Sequence, residues 1–338
     1  MTGSNRIEEV DISKGIGMVL VITGHLCVSA SLRNFIYSFH MPLFFILSGI
    51  VYNIARTRAR KAIQIKKILT KYIEWSGIYL VFDYIVRYSV EGTRTKHELW
   101  NEVVYTISFY GVSVLWFLSA LTIGLAFVLL IGQKSEKFYL LCGGGGAYFI
   151  GAVCSKLVLL SEFKGVIVFA AVVRGIVAFS WISLGIGLQK VFLKIVHEDR
   201  KSVVKLALMW GVIFIVSNEA KPIEYSGLEL GTPIISFVLG IMGSIATLYL
   251  AKLLSKIEIL KHFLIVFGRN SIFIMATHQY LHINKFVEIC VGFLIKTQTI
   301  RMVCEVIFLC AIEYILCDCI QRLRRIQGTL CQPPGTKM

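Results

Sequence analysis

The chain alternates between nearly continuous apolar stretches about 20 residues long, enough to cross a hydrocarbon layer as a helix, and short polar connections rich in Lys and Arg. A segment in hydrocarbon must satisfy its own backbone hydrogen bonds, so each stretch reads as helix. The pattern predicts spans over residues 12–31, 35–54, 68–88, 112–131, 138–155, 168–189, 203–217, 231–251, 263–283 and 299–320. No Pro-, Ser- or charge-rich linker divides them. The expected fold is therefore all-α, a polytopic membrane helix bundle of about ten transmembrane helices. It forms one membrane-embedded domain over 1–338, with short tails of about 1–11 and 321–338. The first segment is long and polar at its start, and no small-residue cleavage site follows it, so uncleaved insertion is expected.

Placing the N-terminus inside gives the inner connections more than twice as many Lys and Arg as the outer ones, so both termini are expected to be cytoplasmic. Composition agrees with the span pattern: 56% hydrophobic and 16% charged residues, and a mean hydropathy of +0.74, exclude a soluble protein of average make-up. The net charge of +15 is then a matter of topology and of contact with anionic membrane lipids, and a nucleic-acid partner is not expected. Nine cysteines show no paired metal spacing, so no metal is expected and most read as small packing residues. The run CGGGGAYFIG (Cys142 to Gly151) lacks the Gly-Lys-Ser/Thr ending of a phosphate loop and reads as a surface for close helix packing.

Polar residues inside the apolar segments carry the candidate chemistry. In KGIGMVLVITGH, eleven residues separate Lys14 from His25, which at about 100° per residue leaves both on one helix face, roughly 16 Å apart. Asp11 lies one turn before Lys14, where it would hold the ammonium. The next segment carries FHMPLFFILSG (Phe39 to Gly49). If the two segments form a continuous hairpin turning near Leu32, His25 and His40 reach a similar depth, about 10 Å from the outer end. Pro42 would kink or open the second helix beside His40. A histidine in a membrane helix is costly unless it faces protein or water. One alone would also serve as an interhelical hydrogen-bonding group, whereas two at one depth above a cation resemble a reaction chamber. The inner connection ARTRARKAIQIKK adds Arg56, Arg58 and Arg60, which read either as an ordinary lipid-facing loop or, with Lys14, as a holder for a phosphorylated ligand.

Asp11, the Lys14-to-His25 spacing, FHMPLFFILSG, LWFLSAL (Leu115 to Leu121) and GRNSIFIMATHQYL (Gly268 to Leu281) together resemble the acyltransferase 3 family of integral-membrane O-acyltransferases. The resemblance implies transfer of an acyl group, usually acetyl from cytoplasmic acetyl-CoA, to a hydroxyl of a cell-envelope carbohydrate or glycolipid in a bacterial cytoplasmic membrane. It maps the family's basic-residue, ten, histidine motif onto Lys14 and His25, its Phe-His-Met-Pro onto His40 and its Trp-Phe-Leu onto Trp116. Lys14 and the arginine loop would then hold the CoA phosphates, and Trp116 would line the donor or acceptor cavity. Independently, acyl transfer from a thioester to a sugar hydroxyl needs a base and a donor for the developing oxyanion. His25 is expected to be the base and His40 the orienting or oxyanion-stabilising partner. The sequence departs from the family at TKYIEW, where Glu74 stands near a usual Pro-Tyr pair, and in its alternating Arg56, Arg58 and Arg60. With no hydrolase-like segment after the tenth span, the membrane domain is expected to complete transfer itself or to use a separate extracytoplasmic acyl-accepting partner.

Weaker expectations attach to the other intramembrane charges. Glu74, Asp83 and Arg87 would form a local network, Arg174, Arg269, Glu305 and Glu313 would pair with one another or line the acceptor path, and His278 and His282 read as structural ion-pair residues. Asn270 and Ser271 would hydrogen-bond between helices. Two other functions compete: a transporter or exporter of a lipid-linked or secreted saccharide, and a silent assembly partner. Transporters favour matching broken helices in two halves, and here only Arg269 in GRNS echoes Pro42.

Overall fold

A computed structural model describes residues 7–27, 29–52, 57–161, 166–197 and 202–330. In chain order its helices are α1 (Glu8–Leu26), α2 (Ala30–Tyr37), α3 (His40–Ile50), α4 (Arg58–Phe82), α5 (Lys96–Ile107), α6 (Ser113–Ile131), α7 (Glu136–Leu160), α8 (Val166–Gly187), α9 (Gln189–His197), α10 (Ser202–Glu219), α11 (Pro233–Leu254), α12 (Glu258–Arg269), α13 (Ser271–Thr277), α14 (Ile283–Leu294) and α15 (Gln298–Leu330). Among the described residues there is no β-strand, only a single bridge between Glu224 and Glu229. Four helices, α6, α7, α8 and α11, are long and apolar enough to cross a membrane. The pair α12 and α13 makes a fifth if taken as one span, although it bends by 74°. The chain divides into two compact units, residues 29–252 and residues 1–28 with 253–338.

In the larger unit α8 is the central element, and glycines set how closely its neighbours approach. A Cβ at Gly49 of α3 would strike the Ile182 carbonyl, and one at Gly185 of α8 would strike the Ile46 carbonyl, so these helices meet backbone to backbone. Gly124 of α6 faces the Phe179 backbone, and Gly175 receives the Ile123 side chain. The glycine run behaves as its composition predicts in part: Gly143 lies on Ser183 and Gly144 on Leu184, while Gly145 and Gly146 face only their own helix. Tyr148, Trp181 and Phe237 from α7, α8 and α11 complete an aromatic core, and the Tyr148 and Ser236 hydroxyls are 2.6 Å apart.

The span expected over 35–54 is broken at Ser38–Phe39 and does not kink at Pro42. Phe39 leaves the helical region with φ −143°, and His40 opens α3. Pro42 thus falls in the first turn of α3, where amide hydrogens have no intrahelical acceptor and a proline costs little. At the other end of α3, the Gln189 side chain donates to the Ile50 carbonyl at 2.6 Å. The third expected span is α4, which continues from Asp83 to Val90 as a π-helix and carries too many charges to pass as apolar.

In the smaller unit, α1 and α12 cross closely enough that a Cβ at Gly15 would strike the Leu264 carbonyl and one at Gly268 the Asp11 carbonyl. The span expected over 263–283 is two helices divided at Asn270, whose backbone (φ −106°, ψ 17°) is not helical. Its side-chain amide donates to the Val266 carbonyl at 2.8 Å, so Asn270 bonds its own helix end and not a neighbouring helix as expected.

Candidate active site

The candidate residues divide between the two units: Asp11, Lys14 and His25 lie in the smaller, and His40, Arg58, Arg60 and Trp116 in the larger. Arg56 lies outside the described residues.

α1 runs unbroken from Glu8 to Leu26, so Asp11, Lys14 and His25 keep the face relationship that their spacing predicts. The helix stops one residue after His25. That removes the uninterrupted hairpin on which a common depth for His25 and His40 depends: one histidine is in the last turn of its helix and the other opens its own. The close crossing at Gly15 and Gly268 sets Asp11 beside Arg269, with Oδ2 3.3 Å from Nε; the carboxylate is buried and the guanidinium is partly exposed. Lys14 is half-buried.

His25 is exposed and has a second imidazole beside it. The ring of His278, at the C-terminal end of α13, lies 5.3 Å from that of His25, centroid to centroid, at 39°. His278 Nδ1 is 2.8 Å from the Ile274 carbonyl, which can only accept, so Nδ1 carries a proton and neutral His278 has its lone pair at Nε2. That Nε2 is buried without a hydrogen-bond partner. Next in the chain, the Thr277 hydroxyl is 2.9 Å from both oxygens of the buried Glu313 carboxylate. The sequence reads His278 as a structural residue; its place in GRNSIFIMATHQYL is the one sign that it belongs with His25.

In the larger unit His40 is buried, its Nδ1 2.9 Å from the Ile36 carbonyl and its ring 5.0 Å from Tyr37. The tautomer argument is the same: neutral His40 presents an acceptor at Nε2. Arg58 and Arg60 are exposed in the first turn of α4, which contains no acidic residue. Lys61, another cation of the ARTRARKAIQIKK connection, is buried there with its ammonium 4.8 Å from the centre of the Tyr52 ring, and burial lowers its pKa. Cations at the positive end of a helix are unfavourable unless an anion joins them.

Trp116 is half-buried, with the Arg174 guanidinium 5.8 Å from its ring. Arg174 is buried over the Tyr110 ring at 4.0 Å, donates to the Tyr110 carbonyl at 2.7 Å and also donates to the Ser226 carbonyl; its Nε has no acceptor. The remaining charges find partners other than those expected. Glu74 pairs with Lys71, Glu305 with Arg301 at 2.7 Å and Arg269 with Asp11, while His282 Nε2 lies 3.4 Å from the Lys285 ammonium. Asp83 and Arg87 do pair, at 3.3 Å. Among the described residues no group of three His, Cys, Asp or Glu could hold a metal ion.

Four helices long and apolar enough to cross a membrane, one of which buries Arg174, mark an integral membrane protein. The family model described as an acyltransferase domain, that of the acyltransferase 3 family, matches residues 7–295, and the chain belongs to this family. It is a membrane acyltransferase. Comparison with curated proteins and with solved structures returned no match.

Proposed function

We propose that the protein is an O-acyltransferase that moves an acyl group, acetyl in this reading, from cytoplasmic acyl-CoA to a hydroxyl of a cell-envelope or extracellular carbohydrate. The observation that carries this reading is the family match over 7–295, which includes every residue given a role below. Lys14, with Arg56, Arg58 and Arg60, takes the CoA phosphates, and the cation-rich first turn of α4 supports an anion there. Asp11, held by Arg269, fixes the start of α1.

His25 is the general base. It takes the acceptor hydroxyl proton as the oxygen attacks the thioester carbonyl; the C–S bond then breaks and the CoA thiolate leaves, to be protonated in turn. The neighbouring His278 ring supports this role, because it positions the His25 imidazole. His40, whose neutral form accepts at Nε2, orients the acceptor through a neighbouring hydroxyl and leaves the attacking O–H to His25; it would stabilise an oxyanion only as imidazolium. Trp116 and Arg174 frame the carbohydrate end. Both chain ends lie in the cytoplasm in this reading, and the bacterial inner membrane is the location.

The test is thermal stabilisation of the detergent-purified protein by acetyl-CoA, free CoA and an unrelated nucleotide. Acetyl-CoA should stabilise the wild type, Lys14→Ala should weaken that effect, and His25→Ala should largely keep it. No stabilisation of the wild type by acetyl-CoA would sink the donor assignment.

A further inference from the structure

In the larger unit, α9, α10 and α11 enclose an open groove of about 590 Å³. None of the residues given a role in acyl transfer lines it, and its lining is graded. Lys205 of α10 precedes Leu208 and Met209 by one turn, so the three share a face, with the cation at one end and the apolar pair at the other. Across the groove, Tyr249 and Ile245 of α11 are likewise one turn apart. Lys194 of α9 lines the same groove, and both lysines are exposed. Leu208 is 65% exposed, so the apolar wall is open and not filled by this unit.

We propose that this groove binds one anionic phospholipid. The headgroup phosphate sits between Lys194 and Lys205, with the Tyr249 ring beside it, and one acyl chain runs along Leu208, Met209 and Ile245. Charge complementarity selects the occupant. An apolar trough alone would take any lipid chain, but a lining whose polar side chains are Lys194, Lys205 and Tyr249 selects a phosphate that carries a net negative charge, and basic pockets between membrane helices are the usual seat of such headgroups. The groove is at the end of these helices that the Lys and Arg distribution assigns to the cytoplasm, where the inner leaflet supplies the ligand. The inference depends on the chain's place in the membrane and not on its acyl donor or acceptor.

The experiment uses the full chain in zwitterionic detergent, with thermal unfolding and native mass spectrometry read against phosphatidylglycerol, phosphatidylcholine, inorganic phosphate and CoA. Phosphatidylglycerol should raise the unfolding midpoint and be retained as one lipid per chain, with phosphatidylcholine and inorganic phosphate ineffective at the same concentration. Lys194→Gln with Lys205→Gln should weaken phosphatidylglycerol binding roughly five-fold per lysine. The charge-matched variant Lys156→Gln with Lys221→Gln, whose lysines line a separate groove, should bind as the wild type does. Equal phosphatidylglycerol binding by the wild type and the Lys194/Lys205 variant would overturn the proposal, as would equal loss in both double variants. Displacement of the lipid by CoA would overturn it too, by making the groove a donor site.

Discussion

The imidazole rings of His25 and His278 lie 5.3 Å apart, although 253 positions separate them in the chain. His278 is anchored through Nδ1 to the Ile274 carbonyl, so its ring is fixed, and it presents an oriented surface to the exposed ring of His25. If His25 is the base, His25→Ala should lower the rate of acyl transfer about 10²- to 10⁴-fold with little change in donor binding. His278→Gln should lower it less, about tenfold, and shift the pH profile of kcat. A His278→Gln enzyme with an unchanged pH profile would make the contact merely a matter of packing. The measurement is transfer rate against pH for wild type and both variants.

Asp11 and Arg269 are an unequal pair, because the carboxylate is buried and the guanidinium reaches solvent. Arg269→Ala leaves a buried carboxylate without this partner and should cost about 1–2 kcal/mol, discounted for the exposed side of the pair. Asp11→Asn should cost less, and the double variant should recover part of the loss. The readout is a double-mutant cycle on the unfolding midpoint in one detergent; additive effects would show that the pair carries no coupling.

Glycines of the larger unit's helices should differ sharply in tolerance. Gly185→Ala drives a methyl group into the Ile46 carbonyl, backbone against backbone, and should unfold the protein or cost several kcal/mol. Gly211, with nothing within 4 Å of its Cβ position in α10, should accept alanine with a gain of up to about 1 kcal/mol. Thermal melts of the two variants decide it.

Glu102 is buried in α5 beside Asp83 and the Arg94 guanidinium, which is 3.2 Å away. Burial first, and then the neighbouring Asp83 carboxylate, raise its pKa from 4.5 to about 8, against the pull of Arg94 and Arg87. A carboxyl whose pKa is higher in the folded state binds more protons there, so its contribution to stability is present at low pH and is lost as pH rises from about 4.5 through about 8. Glu102→Gln should remove this slope and leave the variant more stable than wild type at pH 8. Unfolding midpoints between pH 5 and 8.5 test it; parallel slopes would refute it.

Helical character was legible because an apolar run in hydrocarbon has only one way to satisfy its backbone, and the Lys14 and His25 relationship was legible because it needs nothing beyond helix pitch. The interruptions were not. Phe39 and Asn270 sit inside segments that read as single spans, and what breaks the helix is local: a non-helical backbone at Phe39 (φ −143°, ψ −16°), and at Asn270 an amide that bonds the Val266 carbonyl. Partner choice was also hidden. Arg269 meets Asp11 because Gly15 and Gly268 let two backbones touch, a contact between residues more than 250 positions apart that no spacing rule encodes. Arg174 binds carbonyls of two loops and not a carboxylate, which charge counting could not suggest.

The glycine contacts of α8 also govern motion. With Gly185 against Ile46, Gly49 against Ile182, the Ile123 side chain of α6 on Gly175, and Ser183 and Leu184 seated on Gly143 and Gly144 of α7, the helix can neither turn nor slide without forcing atoms together. Within its unit α8 is a stator. α3, which bears His40, is pinned to α8 at Ile46 and Gly49 and moves only with it; in the other unit α13, which leads to His278, departs from α12 by 74° at Asn270 and has no such lock to α8.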